Sequence, residues 1–251
     1  MLHTLAYSGD VPAGSSTEGL IAAVTDFVMA TAGAQGFSVP SQLKVIAAWA
    51  GSADLNQARL VAPSLLRVSL PHIRPATAAA LPGSDPNFSV LFDSPLLIKD
   101  NETLSISAQH GNGSAQRVRA LVWLADEIEP APKGSGFWVR YSSSTTVTAD
   151  RWHLLTLNMD QLPEGQYAVT GFENFSTTCV AARLVFPNRP FRPGTLGLSG
   201  SSAAGERTHA AFYDGRFGVL GKFAAFTPPG VEVLCTGTDD HHDGYLRLVK
   251  L

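Results

Sequence analysis

The chain is poor in charge. Only 16% of its residues are Asp, Glu, Lys or Arg, against roughly 25% in an ordinary soluble protein. A net charge of −3 excludes the basic footprint that phosphate backbones require, so no sequence-specific nucleic-acid partner is expected. No Lys or Arg precedes Lys44. The N-terminus therefore offers neither the charged start of a signal peptide nor a basic arm. Long hydrophobic runs are missing too. The most apolar stretch, Gly19 to Ala34, is broken by Asp26 and falls short of the ~20 residues that span a bilayer. A soluble protein is expected.

Cysteine is scarce as well. Cys179 and Cys235 are too few for a disulfide framework and lack C-x-x-C spacing. Both lie in strand-like segments and read as small buried hydrophobes. The sequons at Asn87, Asn101, Asn112 and Asn174 reflect plentiful Ser and Thr.

Motifs that carry chemistry are also wanting. No H-x-H occurs, which disfavours the metal site of a bicupin. "GLSGSS", Gly197 to Ser202, has the wrong spacing for a nucleophile elbow and reads as a flexible loop. A phosphate-cradling G-x-x-x-x-G-K-[ST] is absent. The richest polar cluster is "DDHHDG", Asp239 to Gly244, whose carboxylates and imidazoles are good metal ligands. Adjacent histidines on a strand point to opposite faces, so a solvated hairpin loop is the expectation. Arg74, Arg189 and Arg192 lie in Pro-rich turns and read as solvated, with binding of a neighbour's carboxylates or phosphates as the alternative. No catalytic, cofactor-binding or metal-binding residue is assigned, and no enzyme is expected.

What is present is a repeat. "ARLVAP" (Ala58 to Pro63) returns as "ARLVFP" (Ala182 to Pro187), an offset of 182 − 58 = 124. Other matches follow in the same order. "SVPSQLKVIAAW" (Ser38 to Trp49) faces "QLPEGQYAVTGF" (Gln161 to Phe172), and "PHIRP" (Pro71 to Pro75) faces "RPFRP" (Arg189 to Pro193). "FSVLF" (Phe88 to Phe92) faces "FGVLG" (Phe217 to Gly221). "TLSISA" (Thr103 to Ala108) faces "GVEVLC" (Gly230 to Cys235), and "RVRALVWL" (Arg117 to Leu124) faces "GYLRLVKL" (Gly244 to Leu251). A period this long makes each copy a domain rather than a solenoid turn. The expected organisation is a first domain with an N-terminal arm over 1–126, a linker over 127–136 rich in Pro, Gly and charge, and a second domain over 137–251.

The repeated pieces are short, rich in Val, Leu, Ile and aromatics, and separated by turn residues such as "LPGSDPN" and "TPPG". This spacing predicts an all-β sandwich, and a unit of this size with about eight strands fits a jelly roll. The Cys…Trp…Cys spacing of an immunoglobulin sandwich is absent. One short N-terminal helix is allowed by the pattern. Leu20, Val24, Phe27, Val28 and Thr31 fall near one face, Ser15 with Glu18 resembles a capping box, and Gly33 would stop it.

A chain holding two similar jelly rolls, poor in charge and without an active site, resembles the double jelly-roll major capsid proteins of tailless icosahedral bacterial viruses with an internal membrane. The resemblance covers roughly Ser38 to Leu251 and rests on architecture and duplication, because that family has no short diagnostic motif. It implies a pseudo-hexagonal homotrimer tiling a shell, minor capsid or vertex proteins as partners, and contact with an internal viral membrane. The implied location is the virion, with the host cytoplasm before assembly. Asp85 in the "LPGSDPN" loop and the segment Thr195 to Asp214 are then the candidates for outward loops, with Ser199 to Gly205 dispensable for folding. A tandem glycan-binding spike or fibre module is the alternative, with Trp49, Trp123, Trp138 and Trp152 as stacking platforms. A glycoamidase-like double β-sandwich is disfavoured, because no convergent carboxylates are legible.

Overall fold

Strand after strand follows the turn residues. The computed structural model describes residues 2–14, 18–52, 54–67, 72–73, 75–76, 89–90, 94–187, 189–198 and 215–251. The chain divides into two compact units, one of Thr4–Asp126 and one of Met1–His3 with Glu127–Leu251. Among the described residues there is no α-helix, and the only helical turn is a short 3-10 segment, Pro63–Arg67.

The first unit contains β1 (Leu2–Val11, its first residues grouping with the second unit), β2 (Gly19–Leu20), β3 (Gly36–Ser38), β4 (Leu43–Gly51) and β5 (Leu55–Val61). β6 (His72–Ile73), β7 (Pro75–Ala76), β8 (Ser89–Val90), β9 (Leu96–Ile98), β10 (Thr103–His110) and β11 (Gln116–Ala125) follow. One sheet runs β1-β11-β4, with β7, β8 and β9 on the outer side of β4; the other runs β2-β10-β5-β6, with β3 also on β10. β4 and β11 are almost wholly buried, and Trp49 and Trp123 on them are fully enclosed.

The second unit contains β12 (Phe137–Ser143), β13 (Trp152–Leu154), β14 (Asn158–Met159), β15 (Gln166–Phe175) and β16 (Cys179–Val185). β17 (Gly194–Leu196), β18 (Gly221–Ala224), β19 (Gly230–Cys235) and β20 (His242–Lys250) complete it. Its sheets run β14-β12-β20-β15-β18 and β13-β19-β16-β17. Between them lies a core of Val139, Tyr141, Tyr167, Val169, Phe172, Leu184, Val231, Val233, Leu246 and Leu248.

Setting aside the short extra strands, the two units have one strand order. β1, β11, β4 and β8/β9 stand as β12, β20, β15 and β18 do, and β2, β10, β5 and β6 stand as β13, β19, β16 and β17 do. This crossed pairing, in which neighbours in a sheet are distant in sequence, is the order of a jelly roll. Burial alternates as a one-sided sheet demands: on β20, Leu246 and Leu248 point inward while Tyr245 and Arg247 are half-exposed.

Two sequence expectations are corrected. Residues 20–32 form no helix, because Ile21 N–H bonds to Ile106 O of β10 and Val24 N–H to Ala6 O of β1, while Ala23 N–H bonds to Ala34 O in the turn that follows. Glu18 does not cap a helix. Its carboxylate takes the Arg59 guanidinium, the Gln57 amide and the Ser107 hydroxyl. Asp26 instead turns the chain locally, accepting the Val28 and Met29 N–H groups at 2.7 and 3.0 Å.

The second correction concerns register. Ala58 pairs with Ala108 and Ala182 with Val233, so Ser105, not Thr103, stands where Gly230 does. The sequence match was two residues out there. A two-residue slip keeps every side chain on its face, so hydrophobic alternation cannot detect it.

The segment 127–136 lies along the second unit. Glu129 accepts the Val219 N–H and pairs with Lys222.

Candidate functional site

The "DDHHDG" cluster is split by the fold. Asp239 and Asp240 are in the loop after β19, whereas His242 to Gly244 belong to β20. The Asp239 carboxylate is fully engaged. Its Oδ2 accepts the hydroxyls of Ser176, Thr177 and Thr178 and the Thr178 N–H, and its Oδ1 accepts the His241 N–H at 3.0 Å. Partial burial pushes this carboxyl up, but the hydrogen bonds from Ser176, His241, Thr178 and Thr177 outweigh it and hold the pKa well below the carboxylate range. Asp239 therefore ties the loop to the β15–β16 turn. His242 is buried, neither ring nitrogen has a hydrogen-bond partner among the described residues, and burial lowers its pKa. His241 points outward, 3.9 Å from Asp243. Among the described residues no group of three or more His, Cys, Asp or Glu could hold a metal ion.

The arginines of the Pro-rich turns separate. Arg74 lies outside the described residues. Arg192 is bound internally, its Nη1 2.5 Å from Glu232 Oε1 and its N–H donating to His3 Nδ1. Glu232 also takes Arg183 Nε at 2.7 Å, and the Arg183 guanidinium lies 4.0 Å above the Trp152 ring. One carboxylate thus serves two guanidiniums, one of them fully buried. Sequence reading missed this cluster, because Arg183 sits in the repeated "ARLV" where Arg59 stands in the first unit.

Arg189 is exposed at the rim of a cavity of about 360 Å³. Leu2, Phe186, Phe191, Phe217 and Leu220 form its apolar wall, and Lys222 in its lining is already paired with Glu129. A second groove, of about 490 Å³, runs between the loop after β14 and the loop after β18. Leu157, Met159, Leu162 and Pro228 line it, and Phe226 stands 80% exposed beside them.

The tryptophans do not form a stacking surface. Trp49 and Trp123 are fully buried, Trp152 is buried beneath Arg183, and Trp138 alone is half-exposed. Asn174 is buried, its amide held by Tyr141 and Cys179, so its sequon is closed to modification. Asn101 occupies a left-handed turn position, φ 60°, and Asn112 caps the loop after β10 by accepting the Ser114 N–H. Asn87, Asp85 and residues 199–214 lie outside the described residues. No helix among the described residues is long and apolar enough to cross a membrane.

The two cysteines, far apart in sequence, are brought together. Cys179 opens β16 directly opposite Cys235, which closes β19, and both are free and buried. Comparison of the chain with protein-family models, with curated proteins and with solved structures gives no match in any of the three.

Proposed function

We propose that the chain is a shell-building protein, a double jelly-roll major capsid protein of a tailless icosahedral bacterial virus. The observation that carries this reading is the repetition of one eight-strand order in both units of a single chain. We take that repetition, with the offset of 124 between the two "ARLV" strands, as the product of an internal duplication. Three copies then place six similar sandwiches around a three-fold axis, and such blocks tile a shell. The chain's partners in this reading are itself, minor capsid or vertex proteins and an internal viral membrane, and its location is the virion after assembly in the host cytoplasm.

Low charge supports the same reading, since a surface covered by neighbours needs few solvating groups. So does the Phe226 groove, which is the face assigned to a neighbouring copy. The test is the solution mass by light scattering after gel filtration, with negative-stain images of the peak. A stable trimer of 3 × 26.6 = 79.8 kDa, hexagonal in outline or forming sheets, is expected. A monomer that never assembles across salt and pH overturns the proposal. Glycan binding through the half-exposed Trp138 would then be the next reading to test.

A further inference from the structure

We propose that Cys179 and Cys235 are a disulfide-forming pair, at which a small peroxide oxidant closes a cross-strand bond within the second unit. The register carries the argument. The two residues are direct partners across the antiparallel β16–β19 pair. Opposite residues in such a pair have Cα atoms about 4.5–5.5 Å apart, inside the roughly 4.4–6.8 Å window of disulfides. Both side chains belong to the core between the sheets. They share that face because Val180 is left out of the pairing, which turns Cys179 inward alongside Ala182 and Leu184.

Burial disfavours the thiolate of Cys179, whose sulfur accepts from Asn174 Nδ2 at 3.2 Å and whose thiol donates to Ala181 O at 3.4 Å. One of the two sulfurs attacks a peroxide oxygen, the O–O bond breaks, and a sulfenic acid and one water result. The other sulfur then attacks the sulfenic sulfur, forming S–S and releasing the second water. The two thiols supply both hydrogens and both electrons.

Access needs only local opening, because Cys179 is the first residue of β16 and Cys235 the last of β19, and strand ends open before strand centres. The first unit carries no such site. Leu55 and His110 occupy the matching positions, at offsets of 179 − 55 = 124 and 235 − 110 = 125.

The experiment treats the folded full-length protein with dilute hydrogen peroxide, quenches, denatures, alkylates and measures intact mass. The expected product has lost two hydrogens, takes no alkyl group, maps to a 179–235 cross-link, and regains both alkylation sites after reduction. The Cys235→Ala variant is expected to show no loss of two hydrogens under the same treatment. Two thiols still alkylatable, a bond between chains, sulfinic products, or a bond that forms only in urea would each overturn the proposal. If Cys235→Ala fails to fold, the masses of the native-sequence protein still decide. None of these outcomes depends on whether the chain builds a shell.

Discussion

Asn56 and Val180 hold the same place in their two sandwiches: each is the residue its strand omits from the pairing with the neighbouring strand. Gln57 pairs with Gln109 and Leu55 with His110, while Ala181 pairs with Leu234 and Cys179 with Cys235. The offset, 180 − 56 = 124, is that of the repeated "ARLV". A bulge reverses which residues face inward beyond it, and here it returns Leu55 and Cys179 to the buried side. A second bulge recurs where β4 meets β11 and where β15 meets β20.

Replacing Glu232 by Ala should cost about 3–5 kcal/mol, because it leaves the Arg183 guanidinium buried without its carboxylate. Urea denaturation at neutral pH measures this. The double change Arg183→Met with Glu232→Leu should recover most of the loss, since removing both charges removes the desolvation cost. A single-variant loss under about 1 kcal/mol would instead place the pair with ordinary surface ion pairs.

Acid should destabilise the second unit in two stages. His242 has a folded pKa below its unfolded value of about 6.5, because burial disfavours its charged form. Its contribution is present above that pH and lost as pH falls through the folded pKa. Asp239 and Asp240 oppose this shift, and His241 and His153 reinforce it. Asp239 also has a lowered folded pKa, so its contribution is complete above the unfolded value of about 3.9 and fades at lower pH. His242→Phe should remove the first stage. Asp239→Asn should remove the second and cost about 1–2 kcal/mol at pH 7, allowing for solvent screening of a half-exposed group. Urea midpoints across a pH series check both; a stability that rises on acidification would refute the assignment.

Gly244→Ala should cost about 3 kcal/mol or more, or prevent folding. Gly244 lies in β20 between Tyr141 of β12 and Asn174 of β15, and an added Cβ would overlap the Tyr141 ring and the Glu173 carbonyl oxygen. That ring crosses the strand so that its hydroxyl can donate to Glu173 O and Asn174 Oδ1, both at 2.9 Å. Thermal unfolding and soluble yield report the loss.

Phe226→Asp should leave stability within about 0.5 kcal/mol, since the ring is 80% exposed. If the groove beside it meets a neighbouring copy, the same change should abolish self-association in light scattering. An unchanged trimer with an unchanged melting temperature would move the interface elsewhere.

The sequence by itself determined the all-β class. Short apolar runs of period two, cut by Pro and Gly, can bury one face only as sheets, and the two "ARLV" runs lie on strands, β5 and β16, that hold the same place in the two sheet orders. Only the tertiary structure decided what residues 20–32 become, because a stretch with Ile21, Val24 and Met29 buried suits a helix face or an edge segment equally until β1 and β10 supply partners for its backbone. The exact register of β10 was likewise invisible, as a slip of two residues leaves the hydrophobic pattern unchanged. Arg183 with Glu232, Asp239 with its three hydroxyls, and Cys179 with Cys235 are separated by 49, 61 to 63 and 56 positions. Strand order brings them together, and strand order is set by which sheet faces pack, a property of the whole chain that no local stretch contains.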